Sequence, residues 1–244
     1  MDYRSQKIRL GKKNLLTFIR MLAKGKYLIP TFQRNFIWQP QDISNLWESI
    51  FLGYPIGSII YWRTPLRLKI HRRLGGFYIP QSEGDHRLHS YILDGQQRST
   101  SLFVAFYGGK GRVKEKAEFD YTLYFDMAAR NFFFENELYR RRWHTPHEFL
   151  IRLRDVPELP PGFGQTLSGV KGFNRKIAAN LKQLLLMFKK YEVPLICLQG
   201  FDITGVCDVF ERMNITGVKL ENMDIIIARN FHDNPTVIEE DFPE

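Results

Sequence analysis

The chain has 244 residues, of which 44% are hydrophobic, 25% charged and 14% aromatic, a composition that excludes a disordered chain and predicts an aromatic-rich globular core. Its 35 basic and 26 acidic residues give a net charge of +9, but residues 1–75 hold 14 basic and 3 acidic side chains while the remainder hold 21 and 23. This excludes a uniformly basic, histone-like chain and points to one face or arm that meets a polyanion.

No apolar run reaches the ~20 residues of a membrane span, and the N-terminus lacks the apolar stretch of a secretory signal. The two cysteines, Cys197 and Cys207, make neither a disulfide framework nor a zinc site. They read as buried thiols of a cytoplasmic protein.

In chain order, Asn14 followed by Leu15, Phe18, Ile19 and Leu22 has the i, i+3, i+4, i+7 spacing of a helix, with Asn14 as its cap and Gly25 at its end. Residues 27–29 predict a short strand. Pro40 suits the first turn of a second helix, whose apolar face is Ile43, Leu46, Trp47 and Ile50. Residues 58–62 read as a buried strand, and 63–90 as turns or a hairpin. A strand at 90–93 runs into Asp94-Gly95, and a helix over about 96–106 follows, closed by Gly108-Gly109.

Strands are predicted at 121–125 and 131–134, and an exposed Pro- and Gly-rich connection at 155–172. Ile177, Leu181, Leu184, Leu185 and Phe188 mark a helix, and 194–198 a buried strand with proline at its start or on an edge. Val206, Val209, Phe210 and Met213 form another helical stripe, and a last helix is predicted over about 220–229. Strands and helices mix without a βαβ rhythm. The expected fold class is α+β, one continuous domain with a helical insertion at about 111–190.

The sharpest local motif is Asp94-Gly95-Gln96-Gln97-Arg98, where an apolar strand turns into a helix. Free N–H groups and the positive end of the helix dipole suit an anion there. Gly95 lets a phosphate approach the backbone, and Arg98 offers a planar fork for its oxygens. Gln96 and Gln97 can orient a water or bind a base edge. Asp94 can hold Mg²⁺ through water, cap the helix or help to polarise a nucleophile. The plainer alternative is an Asp-Gly turn, a capping Asp and a surface Arg, yet two adjacent glutamines ahead of an arginine are hard to explain as packing.

Two further clusters stand out. Gln33-Arg34-Asn35 lies between Phe32, Phe36 and Trp38, either as a base-stacking segment or as core aromatics around a paired arginine. Phe210-Glu211-Arg212-Met213-Asn214 reads as a helix end with a solvated Arg–Glu face.

Other familiar sites are weak or missing. No phosphate-binding Gly-x-x-x-x-Gly-Lys loop, dinucleotide fingerprint or nucleophile elbow occurs. His144 and His147 stand i, i+3 beside Glu148, but Pro146 intervenes and Thr145-Pro146 reads better as a helix start than as part of a metal site. Arg140-Arg141-Arg142-Trp143 reads equally as a solvated loop or as a nucleic-acid contact. Candidate contacts to a DNA backbone are Arg63, Arg67, Lys69, Arg72 and Arg73, with Lys7, Arg9, Lys12 and Lys13.

Four blocks, residues 30–38, 54–58, 93–98 and 210–214 with Gly217 and Leu220, occur in this order. Together they resemble the DGQQR domain, the N-terminal module of GmrSD-type modification-dependent restriction enzymes and related phage-defence proteins, over roughly residues 8–230. The resemblance implies a ParB- and sulfiredoxin-like fold, a mixed sheet with surrounding helices that cradles a nucleotide. It also implies binding and Mg²⁺-dependent hydrolysis of a nucleoside triphosphate that regulates attack on modified foreign DNA.

Carried onto this chain, Asp94, Gly95, Gln96, Gln97 and Arg98 would form the phosphate and catalytic loop. Gln33, Arg34, Gly57 and Ser58 would line the pocket, and Arg212 and Asn214 would close it. Family members usually add a C-terminal helical and HNH-type nuclease region. None is expected within these residues, so a separate or missing module would supply it. Competing expectations are a non-catalytic ParB-like DNA- or nucleotide-binding adaptor, and a nuclease using carboxylates such as Asp94 and Asp224.

Overall fold

The computed structural model of the chain describes residues 6–71, 73–74, 77–78, 88–108, 110–113, 117–140 and 145–213. The first strand, β1 (Lys7–Asn14), leads directly into α1 (Leu15–Ala23). Asn14 caps that helix as its spacing predicts, its side-chain oxygen accepting from the Leu16 and Thr17 amides. Then come α2 (Pro40–Phe51), β2 (Ile59–Thr64) and a two-residue hairpin of β3 (Arg73–Leu74) and β4 (Phe77–Tyr78). β5 (His89–Asp94) runs into α3 (Gln96–Tyr107).

A second run holds β6 (Lys110–Val113), β7 (Ala117–Asp120), β8 (Leu123–Asp126), β9 (Asn131–Phe134), α4 (Glu135–Arg140), β10 (Leu150–Arg152), α5 (Phe163–Ser168) and α6 (Arg175–Lys190). β11 (Glu192–Gln199) and α7 (Ile203–Met213) complete the described elements.

The central sheet has the strand order β1-β11-β2-β5. β1 and β5 are antiparallel to their neighbours, and β11 and β2 are parallel, so the sheet is mixed and the fold is α+β. A three-stranded antiparallel sheet, β10-β8-β9, stands apart.

Alternation along the strands divides the core between two faces. Ile59, Ile92, Val193 and Leu195 point to the larger cluster, where Phe18, Trp47, Phe51, Phe125 and Phe188 pack. Trp62, Tyr91, Leu93 and Leu198 point the other way and meet Val206, Cys207 and Phe210 of α7. Both cysteines are buried, and neither forms a disulfide. α3 packs against α1 and α2, and ten of its residues are buried, including Ser99, Thr100 and Ser101.

Four sequence expectations change. The stretch at about 111–190 is not chiefly helical: it holds the strands β6 to β10 as well as α4, α5 and α6. Residues 27–29 form no regular strand: Leu28 makes one parallel rung with the edge strand β5, its amide donating to the Ser90 carbonyl and its carbonyl accepting from the Ile92 amide, and Pro30, which has no N–H to continue that ladder, bridges Ile70 instead. The connection at 155–172 is largely exposed but carries a 3₁₀ turn (Leu153–Glu158) and α5, pinned by the buried Val156 and Leu167. Pro194 is the third residue of an interior strand. It is tolerated because β2 joins β11 only from Leu195 onward, which leaves one flank of Pro194 outside the ladder. The helix predicted at 220–229 lies outside the described residues.

No described helix is long and apolar enough to cross a membrane.

Candidate nucleotide and polyanion sites

The strand-to-helix junction forms as its sequence predicts, with a refinement at its base. The β2–β5 register shifts between Ile60 and Tyr61, so Ile60 faces Asp94 and Tyr61 faces Ile92. Such a bulge re-aims the residue at the end of the strand. Gly95 then turns the chain with φ of 87° and stands as the N-cap of α3, which no side chain caps. The positive φ favours glycine here, and a Cβ would also displace the Ile59 side chain, whose Cδ1 stands 2.4 Å from that position.

Arg98 is clasped from two sides. Its Nη1 donates to the Ile56 carbonyl at 2.7 Å, and its Nη2 donates to Asp94 Oδ2 at 2.9 Å. The arginine side chain is 19% exposed and the aspartate side chain 43%. The clasp depends on Gly57, where φ is +81° and a Cβ would stand 2.3 Å from Arg98 Nη1. Gly57 therefore belongs beside Arg98, and the half-buried Ser58 links it to β2. Among the described residues, no group of three or more His, Cys, Asp or Glu side chains gathers as a metal cluster.

The glutamines point into a neighbouring strap, residues 30–38. Gln96 Nε2 donates to the Arg34 carbonyl at 2.7 Å. Gln97 Nε2 donates to the Asn35 carbonyl at 3.0 Å, and its Oε1 accepts from the Ile37 and Trp38 amides at 2.9 and 3.3 Å. Gln33 Nε2 donates to the Leu93 carbonyl at 2.8 Å.

From the other side, the Thr31 amide donates to the Lys69 carbonyl, and His71 Nε2, in the tautomer that carries its proton there, donates to the Gln33 carbonyl at 3.0 Å. Tyr91 Oη holds the loop that carries Lys69 by accepting from the Leu68 amide and donating to the Leu66 carbonyl. Burial raises the pKa of Tyr91, which keeps this hydroxyl protonated.

So held, the strap leaves the Arg34 and Asn35 side chains exposed. Phe32 meets Phe210 edge-on with ring centroids 6.3 Å apart, which brings α7 against the strap; Arg212 is exposed two residues further along α7. Asn214, Asp224, Arg72 and residues 141–144 lie outside the described residues.

The candidate DNA contacts separate. Lys7, Gln199, Arg63 and Ser90 form one cross-strand row, and Arg9, Cys197, Tyr61 and Ile92 the row two residues along on the same face. No carboxylate stands in either row, so Lys7, Arg9 and Arg63 share one cationic patch. Arg67 and Lys69 are exposed on the loop after β2, and Arg73 is exposed on β3. Lys12 and Lys13 are not part of this patch: they sit at the far end of β1, five and six residues from Lys7, or about 17–20 Å. Lys12 there pairs with Glu192 at 2.5 Å. Asp94 lies at the opposite end of β2 from Arg63.

Two parts of the site had no local signal in the sequence. The Ile56 carbonyl is backbone, and its only trace in the sequence is the following Gly57. The anchoring by His71 depends on a strap 38 positions away.

The chain is similar to the uncharacterized protein MJ0686 of Methanocaldococcus jannaschii, at 26% identity over an aligned length of 246 residues that covers 89% of this chain and 41% of that protein. It thus spans about two fifths of that relative's length. Residues 15–231 match the sequence profile of the GmrSD restriction endonuclease N-terminal domain, and so take in the strap, the arginine clasp and α7 together. The chain belongs to the family of GmrSD restriction endonuclease N-terminal domains.

Proposed function

We propose that this chain is a module that binds and hydrolyses a nucleoside triphosphate within a modification-dependent DNA restriction system. The observation that carries the proposal is the Arg98 clasp beside an uncapped helix start. A helix N-terminus offers N–H donors and positive potential to phosphate oxygens. A guanidinium held by a carbonyl and a carboxylate is oriented before the ligand arrives, which lowers the cost of binding.

Gly95, fitted against Ile59, sets the turn from which the first N–H groups of α3 would meet the phosphates, and Gly57 and Ser58 border the clasp. Gln96 and Gln97 position the strap, and Gln33, itself anchored, helps it to present Arg34; Arg212 of α7 closes the pocket. Mg²⁺ fits the donor set through one half-exposed carboxylate, Asp94, because this ion is commonly held by one or two carboxylates together with substrate phosphates. When bound it would neutralise charge on those phosphates.

The wider reading has four parts. The fold is of the ParB and sulfiredoxin type, one domain with an insertion over about 111–190. The chain works in the cytoplasm. The cationic patch of Lys7, Arg9 and Arg63, with Arg67, Lys69 and Arg73, meets modified or foreign DNA. A separate HNH-type nuclease module cuts it.

The test is phosphate release by the purified chain with each nucleoside triphosphate and Mg²⁺, with and without DNA. Hydrolysis that Arg98→Ala abolishes while the thermal melt persists supports the proposal. An absence of hydrolysis under every condition removes the enzymatic part.

One observation favours a second reading, that of a non-catalytic nucleotide- or DNA-binding adaptor. Gln97 uses both ends of its amide on the strap and so has little left to orient a water. Binding of nucleotide without turnover would select it. A nuclease reading through Asp94 and Asp224 predicts DNA cleavage that survives Arg98→Ala and is lost in Asp94→Ala.

A further inference from the structure

The margin of the Arg98 site carries an exposed aromatic ring that the clasp does not use. Among the described residues, the large hydrophobic side chains left exposed are Ile8, Leu10, Ile37, Tyr54, Leu88, Leu185 and Leu186, and Tyr54 is the one aromatic among them, 58% exposed. Its backbone is fixed on both sides: the amide donates to the Ser49 carbonyl at 2.8 Å, and the carbonyl accepts from Tyr191 Oη at 2.8 Å. Two residues on, the Ile56 carbonyl receives Arg98. That stretch of chain is at most about 7 Å long.

The other aromatics near the start of α3 are committed elsewhere. Phe36 and Trp38 of the strap pack against the main core. Between them Ile37, 53% exposed, has its amide on Gln97. The helix start is thus flanked by an exposed apolar side chain on the strap and an exposed ring on the loop before β2. An exposed ring on an anchored backbone beside an anion site matches a ligand that has both a charged end and a planar, weakly hydrated face.

We infer that Tyr54 is the platform on which the base of the bound nucleotide stacks, while Arg98 and the first turn of α3 take its phosphates. This inference rests on the nucleotide reading above and adds the group that recognises the base. Stacking tolerates any base, so the platform supplies affinity for nucleotides over bare phosphates and little choice among bases.

The experiment compares equilibrium binding of ATP, GTP and inorganic tripolyphosphate to wild type, Tyr54→Ala, Tyr54→Phe and Arg98→Ala, with thermal melts as a check on folding. Tyr54→Ala should weaken both nucleotides about tenfold and leave tripolyphosphate unchanged. Tyr54→Phe should bind as wild type does, and Arg98→Ala should weaken all three ligands. Tyr54→Ala binding nucleotides like wild type, while Arg98→Ala does not, overturns the platform and leaves the phosphate site standing. An equal loss for tripolyphosphate in Tyr54→Ala also overturns it, since the ring would then act on the phosphate end. Wild type that binds neither nucleotide removes the underlying site and the platform with it.

Discussion

Gly57 and Arg98 occupy each other's space. The arginine Nη1 stands where a Cβ on residue 57 would come within 2.3 Å of it, and the same nitrogen reaches the Ile56 carbonyl at 2.7 Å. The loop before β2 and the first turn of α3 are joined by this fit, 42 positions apart in the chain.

Gly57→Ala should therefore break the clasp twice, by steric displacement of Arg98 and by forcing a side chain onto a φ of +81°. The expected loss of stability is about 1–3 kcal/mol, with nucleotide hydrolysis falling to the level of Arg98→Ala. Denaturant unfolding and phosphate release measure the two effects separately. A variant that keeps wild-type turnover would show that the arginine works without this hold.

Gln97→Ala should release the strap. It removes the partners of the Asn35 carbonyl and of the Ile37 and Trp38 amides, all in a partly buried setting. The expected cost is about 2–3 kcal/mol, with faster hydrogen exchange at the Ile37 and Trp38 amides. Gln97→Glu retains the oxygen that accepts from those two amides but sets a second oxygen against the Asn35 carbonyl. It should fall between wild type and Gln97→Ala. Exchange rates that do not change in either variant would count against this role.

DNA binding should depend on one end of the sheet. Replacing Lys7, Arg9 or Arg63 with Gln should lower affinity and reduce the log–log salt slope by about 0.9 for each DNA phosphate that is no longer neutralised. Lys12→Gln, at the far end of β1 and paired with Glu192, should leave the slope as in wild type. Titration with duplex DNA at several salt concentrations reads both. Equal effects from the two ends would mean that the polyanion runs along the whole strand.

Alkaline pH should destabilise the protein through its buried tyrosines. Burial pushes Tyr121 up to about 12, against an ordinary value of 10.0. A pKa raised in the folded state means that the fold favours the neutral phenol. The stabilisation is complete below about pH 10 and is lost as pH climbs toward 12. Thermal midpoints should fall across this window. Tyr121→Phe should shallow the fall by no more than one proton's worth, about 1.4 kcal/mol per pH unit. A midpoint that is flat to pH 12 would contradict the shift.

Much of the architecture was legible locally. Asn14, Pro40 and the Asp94-Gly95 step set the starts of three elements because caps, proline and glycine act within a turn of where they stand. The apolar stripes of α1, α2, α6 and α7 follow from helical spacing alone. Residues 27–29 misled because Tyr27 and Ile29 are apolar through burial, while only Leu28 pairs with β5 before Pro30 interrupts the ladder.

By itself, the sequence determined the α+β pattern, the strand-to-helix junction with its arginine, the concentration of positive charge in the first third and the blocks that carry the family resemblance. Only the tertiary structure decided how those parts are used. It turned Gln96 and Gln97 toward a strap 62 positions away, gave Arg98 a backbone carbonyl to hold, and grouped Lys7 and Arg9 with Arg63 while leaving Lys12 and Lys13 at the other end. Caps and periodicity act over three or four residues. A backbone carbonyl has no side-chain identity to read, and which lysines share a surface depends on the register of a strand nearly two hundred positions away.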